Sequence, residues 1–97
     1  MKTGKTQISR QRRRITFELY APEAREAFLV GEFNQWDCQA HPMKSNGNGV
    51  WTKRMLLPPG QFAYKFFVDS QWVADPHNER TRPDGFGSLN SVVNVLD

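Results

Sequence analysis

Ninety-seven residues allow one domain with a single core and are too few for a pair of domains. The formal charge is +3, yet residues 1–14 carry Lys2, Lys5, Arg10, Arg12, Arg13 and Arg14 with no acid, which leaves residues 15–97 at −3 and makes the body a poor binder of nucleic acid. The single cysteine, Cys38, excludes an intrachain disulfide and suits a reducing compartment; with no 18-residue apolar run and no apolar stretch near the N-terminus, the sequence reads as cytoplasmic, with no membrane segment.

The polar, basic segment 1–14 lacks apolar periodicity and cannot bury enough surface to offset its ordering entropy, so a disordered tail is expected there and a domain over 15–97. Its arginines suit RNA, an anionic membrane surface or an acidic partner, but a plainly solvated terminus is the preferred reading. Ile15 to Tyr20 alternates, with Ile15, Phe17 and Leu19 on one face, and predicts a half-buried strand. Arg25 to Val30 predicts a second strand, closed by Gly31, and Phe33 to Asp37 a polar loop with two aromatics. From Cys38 to Gly49 the expectation is loop.

Val50 to Leu57 predicts a strand with Trp51, Met55 and Leu57 inward, although Lys53 falls on the same face and implies an edge or a snorkelling side chain. Pro58-Pro59-Gly60 turns the chain. Tyr64 to Trp72 then carries the clearest hairpin signal, since Asp69-Ser70 stands where a two-residue loop wants Asn-Gly or Asp-Gly. Pairing across it sets Phe67 opposite Trp72 and Phe66 opposite Val73, so Tyr64, Phe66, Val68 and Val73 share an apolar face while Lys65, Phe67, Trp72 and Ala74 share the other. After Asp75-Pro76, His77 to Ser88 reads as a long exposed loop, and Leu89 to Leu96 as a last strand with Val93 and Val95 inward. Six or seven short strands with turn chemistry between them predict an all-β, immunoglobulin-like antiparallel β-sandwich.

Catalytic machinery is not apparent. The ten acids are scattered, so no carboxylate pair is fixed as general acid and base, and an enzyme is not expected. His41 and His77 lie in different loops without metal-ligand spacing and read as solvated; neither metal nor cofactor is expected. What remains is Trp36, Lys65, Trp72, Phe86 and Asn90. Flat apolar rings beside hydrogen-bonding groups suit a sugar, whose ring has an apolar C–H face and an equator of hydroxyls. Trp51 reads as core, whereas Trp36 and Trp72, both at turns, read as exposed.

Gly31-Glu32-Phe33-Asn34-Gln35-Trp36, Trp51, Leu57-Pro58-Pro59-Gly60, Tyr64 to Trp72, Asp75-Pro76 and Asn90-Ser91-Val92-Val93-Asn94-Val95 appear in an order and spacing that resemble carbohydrate-binding module family 48. That family includes the glycogen-binding domain of the AMP-activated protein kinase beta subunit and the N-terminal early-set domain of isoamylases and branching enzymes. The resemblance implies an early-set sandwich that binds α-glucan without catalysis, through Trp36, Trp72, Lys65 and Asn90, with Phe86 where the family commonly has leucine. The alternative to glucan binding is an early-set domain that docks a glycogen-metabolism enzyme or another protein partner. Ser70 departs from the family's usual glycine and would sit at positive φ, at about 1 kcal/mol.

Overall fold

The computed structural model describes residues 11–97, and the first ten residues of the expected tail lie outside them. Eight strands follow in order among the described residues: β1 (Arg13–Tyr20), β2 (Ala27–Gly31), β3 (Lys44–Ser45), β4 (Val50–Leu57), β5 (Gly60–Val68), β6 (Gln71–Val73), β7 (Thr81–Pro83) and β8 (Leu89–Val95), with a 3₁₀ turn at Glu32–Asn34 after β2. One sheet has the order β1-β4-β3 and the other β2-β5-β8-β7 with β6 also on β5. All pairings are antiparallel. The all-β sandwich expected from the sequence is the fold of the chain.

Alternation decides which faces meet. Phe17 and Leu19 of β1, with Trp51, Met55 and Leu57 of β4, turn inward against Leu29, Tyr64, Phe66 and Val95 of the second sheet. Phe17 meets Tyr64 edge-on across the layers, with ring centroids 4.9 Å apart, the arrangement that sets a positive ring edge against a negative face. Trp51 donates its indole N–H to the carbonyl of Ala21 at 3.0 Å, so its one polar atom is satisfied at the rim of the core. Lys53 is half-buried on the inward side, just past the two residues that β3 pairs with β4. No helix among the described residues is long and apolar enough to cross a membrane.

β5 organises the second sheet. Its residues Tyr64 to Val68 pair with β2 on one edge. Phe66 also pairs with Val73, and Tyr64 with Ser91, so β6 and β8 share the opposite edge end to end. Lys65 stands at the seam between them. The hairpin register matches the sequence expectation residue for residue, and Asp69 and Ser70 take φ of 48° and 66°, as a type I′ turn requires.

Four local boundaries differ from expectation. β1 starts at Arg13 because Arg13 and Arg14 pair with Leu57 and Leu56 of β4, and ladder pairing overrides the polar composition. β2 starts at Ala27 rather than Arg25, since the Asp69 carboxylate accepts the N–H groups of Arg25 and Glu26, both at 3.0 Å, in place of a ladder. The expected loop from Cys38 to Gly49 contains β3, and that from His77 to Ser88 contains β7, whose Pro83 fits an edge strand because no neighbour needs its missing N–H. In β8, Val95 is buried and Val93 half-buried as expected. Val92 is buried too, facing the other way, where Arg80 O accepts its N–H and the Asn78 amide donates to its carbonyl.

Candidate functional site

The outer face of the five-stranded sheet carries Phe28 and Val30 from β2, Gln61, Ala63, Lys65 and Phe67 from β5, and Asn90 and Val92 from β8, as the pairing registers require. Over this face opens a groove of about 580 Å³. Trp36, Lys65, Trp72, Phe86 and Asn90, the five residues singled out in the sequence, all line it. Glu32, Ala63, Arg82, Pro83 and Asp84 complete the lining.

One wall is the turn after β2. Gly31 lies so close to β5 that a Cβ there would stand 2.6 Å from the Ala63 carbonyl oxygen, so only glycine lets the chain pass. Phe33 then packs on the core rings Phe17 and Phe62, which corrects its expectation as part of a polar loop: apolar contact holds it inward. Asn34 is buried and fully engaged. Its Oδ1 accepts the Gly31 N–H at 3.0 Å, and its amide donates to the Leu29 carbonyl at 3.0 Å and meets His41 Nδ1 at 2.9 Å. His41 is therefore not a solvated loop residue; burial, more than the nearby Lys53, pushes its pKa below 6.5, while Asp37 works the other way. The turn ends with Gln35 and Trp36 at φ of 55° and 58°, left-handed conformations that cost non-glycine residues about 1–2 kcal/mol each, closed by the Trp36 N–H to Gly31 O bond at 2.9 Å. The outcome is a tryptophan, 37% exposed, fixed at the rim of the groove.

The opposite wall is the β7–β8 hairpin. Asp84 Oδ1 accepts the N–H groups of Phe86 at 2.7 Å and Ser88 at 3.2 Å, while Gly85 and Gly87 at positive φ let the loop fold back on itself. Phe86 is left at the tip, 93% exposed. The Phe86 N–H, then those of Ser88 and the Lys65 ammonium, hold the Asp84 carboxyl below the usual carboxylate range.

Between the walls, Lys65 donates to Asp84 Oδ2 at 3.4 Å and to Ser88 Oγ at 3.1 Å, and its side chain is only 12% exposed. Lys65 is thus held in the floor of the groove, at the seam where β6 and β8 meet along β5 and beneath the β7–β8 hairpin. Trp72, 51% exposed, rests on Phe67 with ring centroids 4.7 Å apart. Glu32 Oε1 accepts both the Ala63 N–H at 2.7 Å and Arg82 at 3.2 Å, a strut from the turn wall to β7. Behind the groove, the Tyr64 hydroxyl donates to Asp75 at 2.6 Å and accepts from Asn78 at 3.0 Å, which fixes the segment between β6 and β7; burial raises the Tyr64 pKa. Sequence reasoning missed Glu32, Arg82 and Asp84. Only Asp84 was signalled, by its Asp-Gly step before Phe86.

Among the described residues no three His, Cys, Asp or Glu side chains gather to hold a metal ion. The groove sets exposed rings beside anchored polar groups, an arrangement whose chemistry suits a ligand with both apolar and hydroxyl faces.

The model of carbohydrate-binding module 48 (isoamylase N-terminal domain) matches residues 3–86, and the chain belongs to that family. The match takes in Trp36, Lys65, Trp72 and Phe86, and Asn90 lies just past it. The beta-2 subunit of 5'-AMP-activated protein kinase from Homo sapiens is 35% identical over 85 residues, 88% of this chain and 30% of that subunit. The 1,4-alpha-glucan branching enzyme GlgB from Prochlorococcus marinus is 31% identical over 90 residues, 86% of this chain and 12% of the enzyme. Protein PTST homolog 2, chloroplastic, from Arabidopsis thaliana is 43% identical over 53 residues, 55% of this chain and 10% of that protein. The chain thus spans 30% or less of the length of these relatives.

Proposed function

We propose that residues 13–97 form a non-catalytic module that binds α-1,4-glucan, as glycogen, starch or malto-oligosaccharides. One observation carries this reading: Trp36 and Trp72, both partly exposed, line a single groove together with Lys65 and Asn90. The two indoles stack on the C–H faces of glucose units, Lys65 and Asn90 hydrogen-bond hydroxyls, and Phe86 packs on the flank of the chain. The groove's own carboxylates serve as acceptors rather than as a catalytic pair. Asp84 is held ionised by loop N–H groups and Lys65, and Glu32 is engaged by Ala63 and Arg82.

If each ring loses about 100 Å² of apolar area to a sugar, the gross gain is roughly 2.5 kcal/mol per ring. Two rings give about 5 kcal/mol, and with hydrogen bonds from the polar lining offsetting an association cost of at least about 4 kcal/mol, affinity falls in the micromolar to millimolar range. Titration with maltoheptaose followed by tryptophan fluorescence, with a cello-oligosaccharide as control, tests the reading. Saturable binding of the first alone is expected, and equal response to both would overturn it.

A second reading rests on the opposite face of the molecule. The outer side of the β1-β4-β3 sheet exposes Tyr20 at one end and Leu56 at the other, with Arg14, Arg54, Lys44 and the acid Glu18 on the same face, a mixed apolar and mainly basic surface suited to docking a protein partner, such as an enzyme of glycogen metabolism.

A further inference from the structure

We infer that the glucan site does not end at the tryptophans but continues past Arg82 into a second, polar groove, so that a long oligosaccharide also contacts Gln61 and Arg80. The inference rests on the glucan-binding reading above. The second groove, of about 520 Å³, is lined by Gln61, Glu79, Arg80, Thr81, Arg82 and Val92. Arg82 is the one residue it shares with the first.

The two grooves lie on one surface. Gln61, Ala63, Lys65 and Phe67 alternate along the outer side of β5, Val92 pairs with Ala63, and Arg82 pairs with Asn90. From Phe67, beneath Trp72, to Gln61 the strand runs about 20 Å. A linear chain that lies on the indoles and follows β5 therefore reaches Arg82 and then Gln61.

The chemistry of the second groove fits the continuation of a neutral, hydroxyl-rich ligand. Its lining has no aromatic ring and presents an amide, a hydroxyl, a carboxylate and two guanidinium groups, donors and acceptors in mixture. Arg82 is already neutralised by Glu32 at 3.2 Å, and Glu79 offsets Arg80, so the groove is not an anion site. A guanidinium has five N–H donors, and the pair with Glu32 leaves several for hydroxyls. The backbone beneath is fixed. Arg80 N–H donates to Asn78 Oδ1 at 2.9 Å, its carbonyl accepts the Val92 N–H at 2.9 Å, and Thr81 pairs with Ser91 in the β7–β8 ladder. Such a site adds hydrogen bonds to a ligand already placed by stacking, and so reads the length of the chain.

The test is calorimetric titration of the whole chain and of Gln61→Ala and Arg82→Ala with maltotetraose and with maltoheptaose, up to millimolar ligand. Gln61 lines only the second groove, so its variant leaves the tryptophans and the Glu32 strut in place; a melting curve checks that each variant is folded. The expected result is that wild type prefers the longer sugar and that both variants lose about threefold or more of the maltoheptaose affinity, the fold-change that one lost net hydrogen bond produces. Maltotetraose affinity should change by less than about twofold in Gln61→Ala. Wild-type maltoheptaose affinity in Gln61→Ala, or an equal loss for both sugars, would overturn the extension while leaving the aromatic site intact. Failure of the wild type to bind either sugar would instead remove the glucan reading itself, and the extension with it.

Discussion

The side-chain amide of Asn34 lies 2.9 Å from His41 Nδ1 and donates its other hydrogen to the carbonyl of Leu29 at 3.0 Å. With both amide hydrogens committed, His41 Nδ1 acts as acceptor and the imidazole is neutral, its proton on Nε2. Protonation would set donor against donor beneath the turn that presents Trp36.

Stability should therefore fall on mild acidification. The folded pKa of His41 is lowered from 6.5, so the unfolded chain takes up the proton first, and the contribution is complete above pH 6.5 and is lost as pH falls from there towards the folded pKa. Melting temperature measured from about pH 7.5 to about pH 5 should drop more for wild type than for His41→Gln, whose amide oxygen can accept the same bond without titrating. Parallel curves for the two proteins would refute the coupling.

Gly31→Ala should destabilise the domain by about 1–3 kcal/mol or more, because the new Cβ meets the Ala63 backbone carbonyl at 2.6 Å and β5 cannot yield as a side-chain tip would. Urea denaturation checks this. A midpoint shift within error would mean that the turn after β2 can move away from β5.

Asp84→Ala removes the acceptor of the Phe86 and Ser88 N–H groups and the partner of Lys65. Glucan affinity should fall about three- to tenfold through the loosened hairpin, with little change in melting temperature, since the loop lies outside the core. Because the folded carboxyl titrates below its usual value of 3.8, its contribution is complete above that pH and is lost only as pH falls further, through the folded pKa. Binding should show no Asp84-linked change between neutral pH and about pH 4.5.

The strand faces were legible because alternation is local information: Phe17, Leu19, Trp51, Met55 and Phe66 are buried where period two puts them. The hairpin at Asp69-Ser70 was legible from its two-residue loop. What the sequence hid was long-range. Nothing near Glu32 signals that its carboxylate caps Ala63 and reaches Arg82, fifty positions away in the chain. The sequence shows Lys65 only as a cation on the aromatic face; its bonds to Asp84 and Ser88 depend on β8 and β6 parting beside it and on the hairpin closing over it. Polar spacing likewise could not reveal β7, whose pairing is made with the strand that follows.

Trp51→Ala should cost about 3–5 kcal/mol, the range for a large core truncation, with the Ala21 carbonyl losing its donor as well. Equilibrium denaturation gives the value, and a loss under about 1 kcal/mol would show that the strand face does not pack as a core.

The most direct measurement of the central claim pairs a melting curve with a maltoheptaose titration for Trp36→Ala and Trp72→Ala. Both rings are partly exposed and line the same groove, whereas the core is built from other residues. Each variant should keep a melting temperature close to wild type and lose about tenfold or more in affinity, as expected when roughly 2.5 kcal/mol of gross stacking is removed. Folded variants that bind maltoheptaose as the wild type does would contradict the account, and the groove between Trp36 and Trp72 would not be the sugar site.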